Sequence, residues 1–406
     1  MFKTFGLADP LVRGILATGF TAPTEIQSQA IPAAIAGKDI IGCAQTGTGK
    51  TAAFVLPILN RLSHEQAGKR KVVRSLILTP TRELAVQIEK AIRDYGRFLH
   101  LRTLAVYGGV NINGQFSALR QGVDIVVATP GRLLDHMNRR TIELKHIEVL
   151  VLDEADRMFD MGFIKDVRRI ISAVPTNRQT MLFSATVTPE ISNLASGVQR
   201  SPIMIQIGRP RNPIETIKQH IYMVERDRKI GLLLHLLQNG QLSSVLVFSR
   251  TKHGADKINR HLEHANIESV AIHSGRTQSQ RQRALDGFKN GDYRVMVATD
   301  IAARGIDVTG ISHVINFDVP GMPEDYIHRI GRTGRAEATG DAITFVSSEE
   351  HKQLRLIERF IGRDITPIEC PGFTYVHIKI ETPKVQPGLH RGRFSTMRHH
   401  KPRRRR

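Results

Sequence analysis

Short runs rich in valine, isoleucine and leucine recur along the chain, separated by longer stretches in which apolar residues return every three or four positions. In the first half the short runs predict strands at 39–43, 75–79, 103–107, 124–128, 149–153, 180–184 and 203–207. Between them, 51–62 and 83–98 carry the apolar spacing of helices. The stretch 208–215 holds two prolines and no periodicity, which predicts a linker. Beyond it the alternation restarts, with strands near 218–224, 245–249, 269–272, 294–299, 313–317 and 342–346. Alternating strands and helices make βαβ units and parallel sheets, so the expected class is α/β, in two tandem domains. The expected division is 1–207, a linker at 208–217, a second domain at 218–366 and an extension at 367–406. Open parallel sheets bind ligands beyond the carboxyl ends of their strands. The loops that follow each strand are therefore where chemistry is expected.

Composition narrows the partners. Lys and Arg number 58 against 38 Asp and Glu, a formal charge of +20, which favours a polyanion. No run of about 18 apolar residues and no apolar signal segment behind Met1 argue for a membrane, and the two cysteines, Cys43 and Cys370, fit a reducing cytoplasm. Trp is absent and aromatics are 5%, against an aromatic-lined sugar or polyproline site. Nine basic residues and no acid follow Glu381, among prolines and glycines, which predicts a disordered basic arm.

The strand at 39–43 runs into Ala44-Gln45-Thr46-Gly47-Thr48-Gly49-Lys50-Thr51 and then a helix. Glycines at 47 and 49 let backbone N–H groups turn toward phosphate oxygens at a helix N-terminus. In such a loop Lys50 reaches the β- and γ-phosphates and the Thr51 hydroxyl joins a Mg²⁺ shell. The usual loop opens on Gly where this one has Ala44. A second signal ends the strand at 149–153, where an apolar run delivers Asp153-Glu154-Ala155-Asp156. Asp153 suits a Mg²⁺ contact, and Glu154 is placed to take a proton from an attacking water. Acid pairs also cap helices; the combination with Lys50 is what makes the pair specific.

Asp153-Glu154-Ala155-Asp156 and the loop before it make the chain resemble the DEAD-box ATP-dependent RNA helicases, over about residues 1–365, and within them the bacterial RhlE-like group. Ala44 is then the family's ordinary form. The resemblance implies two RecA-like domains. Gly19-Phe20-Thr21-Ala22-Pro23-Thr24 followed by Gln27 resembles the Q motif, which implies that Thr24 and Gln27 serve adenine recognition, with Phe2, or less favourably Phe5, stacking on the base. Gln45, Thr46, Gly47, Thr48, Gly49, Lys50 and Thr51 are implied to hold ATP, with Gly305 and Asp307 from the second half. Thr51 and Asp153 are implied to hold Mg²⁺. The loops carrying Thr81, Arg82, Gly109, Thr129 and Arg132, with Arg250, Gly275 and Thr299, are implied to grip an RNA backbone. Ser184, Thr186, Asp156, Gln278, Arg304 and His328 are implied to couple hydrolysis to strand separation, with Arg281 following Gln278. Arg332 and Arg335, in the run His328 to Arg335, are expected as arginine fingers, worth about 10³–10⁵ in rate.

Splitting one ATP site between two domains implies that ATP and RNA promote each other's binding and that unwinding is local, with little sequence preference. Ribosome assembly and RNA degradation machinery are the kinds of partner the family implies. An ATP-gated RNA clamp uses the same residues, and a DNA-directed translocase is the other rival.

Overall fold

The computed structural model describes residues 2–44, 47–64, 72–207, 217–240, 242–303, 308, 310–334 and 340–375. Among the described residues thirteen strands build two all-parallel sheets. The first contains β1 (Ile40–Cys43), β2 (Ser75–Leu78), β3 (Thr103–Val106), β4 (Ile125–Ala128), β5 (Val149–Leu152), β6 (Gln179–Ser184) and β7 (Ile203–Gln206), in the order β3-β4-β2-β5-β6-β1-β7. The second contains β8 (Ile217–Met223), β9 (Val245–Phe248), β10 (Ser269–Ile272), β11 (Val295–Ala298), β12 (His313–Asn316) and β13 (Gly340–Val346), in the order β10-β11-β9-β12-β13-β8.

Helices cover both faces of each sheet, so strand residues are buried on alternate sides. Val149 and Val151 join one core of the first sheet while Leu150 and Leu152 join the other. In the second sheet Val245 and Val247 face one core, Leu246 and Phe248 the other. This two-sided burial is why these strands are apolar at every position. Register is set centrally: Ile77 of β2 pairs with Val127 of β4 and with Val151 of β5.

Two segments depart from expectation. The helix expected to reach 98 is Arg82–Tyr95, because Gly96 follows as its C-cap, its N–H still bonded to the Ile92 carbonyl. The extension expected from 367 stays on the second domain through Tyr375. Ile368 donates to the Ile221 carbonyl at 2.8 Å, Cys370 is buried, and Phe373 and Tyr375 pack on the same core. Of the linker expected at 208–217, residues 208–216 lie outside the described residues and Ile217 already opens β8; the basic arm expected after Glu381 lies outside them as well. Among the described residues no helix is long and apolar enough to cross a membrane.

Candidate active site between the two sheets

The loop after β1 is shaped by two glycines in left-handed conformations, Gly47 at φ +89° and Gly49 at φ +93°. A Cβ at Gly49 would collide with the Gln27 amide and reach Thr24 Oγ1 at 3.0 Å, so only glycine fits there. Gln27 is fully buried. Its Oε1 accepts from the Thr24 N–H at 3.0 Å, closing a capping box on helix Glu25–Ile35, and its Nε2 donates to the Gly49 carbonyl at 3.2 Å. The Q-motif glutamine therefore braces the phosphate loop from behind. Lys50 is buried and donates to the Ala44 carbonyl at 2.5 Å, across the mouth of the loop, while the Ala44 N–H donates to Ser184 at 3.1 Å. Gln45 and Thr46 lie outside the described residues, and Thr48 and Thr51 flank the helix start at Lys50.

β5 delivers Asp153 and Glu154 to the same mouth. Asp153 is 3% exposed, and burial, then the neighbouring Glu154 charge, push its carboxyl up to about 7 against a partial pull from Lys50. Such a crowded carboxyl is a natural ligand for a divalent cation. Glu154 adopts a left-handed backbone, φ +53°, and its Oε2 accepts from Arg157 Nη1 at 2.7 Å. A non-glycine residue held there is strained, and such strain gathers at functional sites. Asp156 turns the other way: its Oδ2 accepts from the N–H groups of Ala185 and Thr186 at 2.9 and 3.2 Å. One carboxylate thus ties the loop after β5 to the Ser184–Thr186 loop after β6. Among the described residues no cluster of three or more His, Cys, Asp or Glu side chains forms a metal cage. A cation here would be shared with a ligand, as Mg²⁺ usually is.

The second sheet closes this mouth. His328, on helix Pro323–Ile330, lies within electrostatic reach of Asp156 and Arg157, and burial followed by the Arg157 charge pulls its imidazole below its ordinary value. Arg332 is buried beside it. Arg304, Gly305, Asp307 and Arg335 lie outside the described residues. A second seam joins Glu83, after β2, to the helix after β10. Glu83 Oε1 accepts from Gln278 Nε2 at 3.0 Å and forms an ion pair with Arg281 Nη2 at 2.9 Å, with Glu83 2% exposed.

The loops expected on RNA lie beside that seam. Arg82 lays its guanidinium against Gly109, whose φ is +82° and where a Cβ would fall 2.7 Å from Arg82 Cζ. Arg132 donates to the Val110 carbonyl at 3.3 and 3.2 Å and to Gln115 at 3.2 Å, tying the loop after β4 to the one after β3. Thr81 is buried as a helix cap, accepting from the Leu84 N–H at 3.3 Å, and Thr129 opens helix Pro130–Asn138. Across the seam Arg250 is exposed and held by Glu350 Oε1 at 3.0 Å, which Lys229 grips through Oε2 at 2.5 Å. Gly275 donates to His273 Nδ1 at 3.2 Å, and Thr299 follows β11 half-buried.

Two family models cover this architecture. One described as DEAD/DEAH box helicase matches residues 24–194, and one described as helicase conserved C-terminal domain matches residues 228–337. The chain is 42% identical over 391 residues to the ATP-dependent RNA helicase CshA of Listeria monocytogenes, covering 96% of this chain and 74% of that one. The chain belongs to the DEAD-box ATP-dependent RNA helicases. CshA of Bacillus subtilis is 41% identical over 370 residues, covering 91% and 74% of the two chains. These relatives carry the name CshA, and the narrower RhlE-like grouping is not confirmed. Among solved structures, Dbp5 of S. cerevisiae bound to RNA and ADP BeF3 is 31% identical with a TM-score of 0.77, over 90% of this chain and 94% of that one. A DEAD box protein from Methanococcus jannaschii is 38% identical yet has a TM-score of 0.53, over 89% and 97%. The DEAD-box chain is therefore closer in structure to the RNA-bound relative than to the one more similar in sequence.

Sequence reasoning missed two members of the DEAD-box seam, Arg157 and Glu83. Pro80-Thr81-Arg82-Glu83 reads as a helix start, and nothing local signals that Glu83 has a partner 195 residues away. Phe2, expected on adenine, is 3% exposed and packs edge-on to Phe5 with ring centroids 6.1 Å apart and against Phe20 at 6.2 Å. Phe5 and Phe20 are the half-buried rings of the group.

Proposed function

We propose that the chain hydrolyses ATP when RNA bridges its two halves, and that closure opens short RNA duplexes locally. The observation that carries this reading is the closed seam: His328, with Arg332 beside it, lies within electrostatic reach of Asp156 and Arg157, while Gln278 and Arg281 grip Glu83. In it, Gly47, Gly49 and Lys50 hold the phosphates, Gln27 and Thr24 set the adenine end, and Glu154 accepts the proton of the attacking water. Arg332, with Arg335, supplies positive charge to the γ-phosphate as the halves close. Asp153 and Thr51 would hold Mg²⁺, a reading that the raised carboxyl of Asp153 supports; when bound, the ion neutralises charge building on the phosphates.

Arg250, Arg82, Arg132, Gly109, Gly275 and Thr299 present the face on which a single RNA strand would lie, contacted through its backbone. A strand bent to follow both halves cannot stay in a regular duplex, so one strand is retained and the other released. Partners in ribosome assembly or RNA degradation, and a cytoplasmic setting for the free thiols Cys43 and Cys370, complete the proposal. Two variants test it. Lys50→Ala should abolish ATP binding, and Glu154→Gln should keep binding while stopping turnover. Normal turnover by Glu154→Gln would remove the base from its role.

A further inference from the structure

At the opposite end of β1 from the phosphate loop, Lys38, Arg61, Arg178 and Arg200 converge on a cavity of about 420 Å³. The four-residue strand between them and Ala44 spans about 13 Å, so this cavity is separate from the ATP site. Two acids also line it, and both are committed elsewhere. Asp39 spends Oδ1 on the Thr180 N–H and Oδ2 on the Arg200 N–H, each at 2.7 Å. Glu148 is held by Arg74 through both oxygens, at 2.6 and 3.3 Å. Among the described residues the side chains of Lys38, Arg61 and Arg200 form no ion pair. Arg178 donates to the Pro175 and Val198 carbonyls, but its Nε is buried with no acceptor. Burial draws this guanidinium below its ordinary value, and the Arg200 charge adds to the effect against Asp39.

The four cationic side chains outnumber the two acids of the cavity, whose oxygens already hold other donors, so an incoming anion would relieve the remaining like charge and meet donors left unspent. We propose that this cavity is a binding site for phosphate groups, either of a free oligophosphate or of an RNA backbone. Guanidinium forks matched to phosphate oxygens are the physical basis, and the volume accommodates more than one phosphate.

The test uses the full chain carrying Lys50→Ala, which disables the other phosphate site. Inorganic tripolyphosphate is titrated by calorimetry into this protein, into the same protein with Arg61→Gln and Arg200→Gln, and into one with Lys257→Gln and Arg260→Gln. The last pair is exposed on helix Lys252–His264 and removes the same charge elsewhere. Thermal melts check that all three are folded. The expected result is an affinity about tenfold or more weaker for the cavity pair than for the control pair, as two lost charge-assisted contacts imply. Equal weakening in both pairs would show only the pull of a basic surface and overturn the proposal, as would no binding to the parent. Anisotropy with single-stranded RNA then separates the sources: a parallel loss assigns the site to the RNA backbone, and unchanged RNA affinity assigns it to a free oligophosphate.

Discussion

Glu83→Gln isolates the seam between the two halves. In the closed chain Glu83 is 2% exposed, accepts from Gln278 at 3.0 Å and pairs ionically with Arg281 at 2.9 Å, while burial pulls the Arg281 guanidinium below its ordinary value despite the Glu83 charge. With the halves apart Arg281 recovers water, so the substitution penalises closure rather than the folding of either half. Removing one partner of such a pair costs about 2–5 kcal/mol. Gln keeps an acceptor oxygen, which places the effect at the low end, about 2 kcal/mol, or about thirtyfold in the closing equilibrium. Steady-state ATPase measured against single-stranded RNA should show the apparent KM for RNA rising about tenfold or more, with ATP binding in the absence of RNA unchanged. Adding Arg281→Gln should recover part of the loss, since no charge is then stranded. An RNA dependence identical to the parent chain's would refute the claim that this contact closes the seam.

Three further outcomes follow from the same geometry. The Asp153 carboxyl sits at about 7 instead of 3.8, so its cost to folding is fullest above pH 7 and fades as the proton returns toward pH 4. Asp153→Asn should therefore raise Tm more at pH 8 than at pH 5 while ending hydrolysis; an equal gain at both would contradict the burial argument. Gly49→Ala should weaken ATP binding and cost more stability than Gly47→Ala, because only at Gly49 does the new methyl meet Gln27 and Thr24 as well as a positive φ. Matching denaturation midpoints for the two would sink that distinction. Deleting 384–406 removes nine positive charges and should flatten the salt dependence of RNA binding while leaving the ATPase; an unchanged slope would remove the arm from RNA binding.

The central strands, such as β2, β4, β5, β9 and β11, were legible because burial on both faces writes an unbroken apolar run, while edge strands such as β7 and β8 are partly exposed. Each expected strand has a counterpart within a residue or two of its bounds, as with 149–153 and β5 at Val149–Leu152. The phosphate loop and Asp153-Glu154-Ala155-Asp156 were legible because backbone cradles and strand-end carboxylates need fixed local spacing. Strand order was not, since β1 lies between β6 and β7 through contacts no local pattern encodes. Glu83 escaped for the same reason. Phe2 was read by spacing alone, and its packing against Phe5 and Phe20 depends on how the first turn folds back. The packing of 367–375 was also hidden: its anchors Cys370, Phe373 and Tyr375 are too sparse to form a periodic signal.

Phosphate release from ATP, measured with no nucleic acid, with single-stranded RNA, with DNA of the same sequence and with an RNA duplex, tests the split site most directly. The account predicts slow release alone and strong stimulation by RNA only, because RNA is what holds Arg332 and its half against Glu154 and Lys50. Release that ignores nucleic acid, or responds equally to DNA, would contradict it.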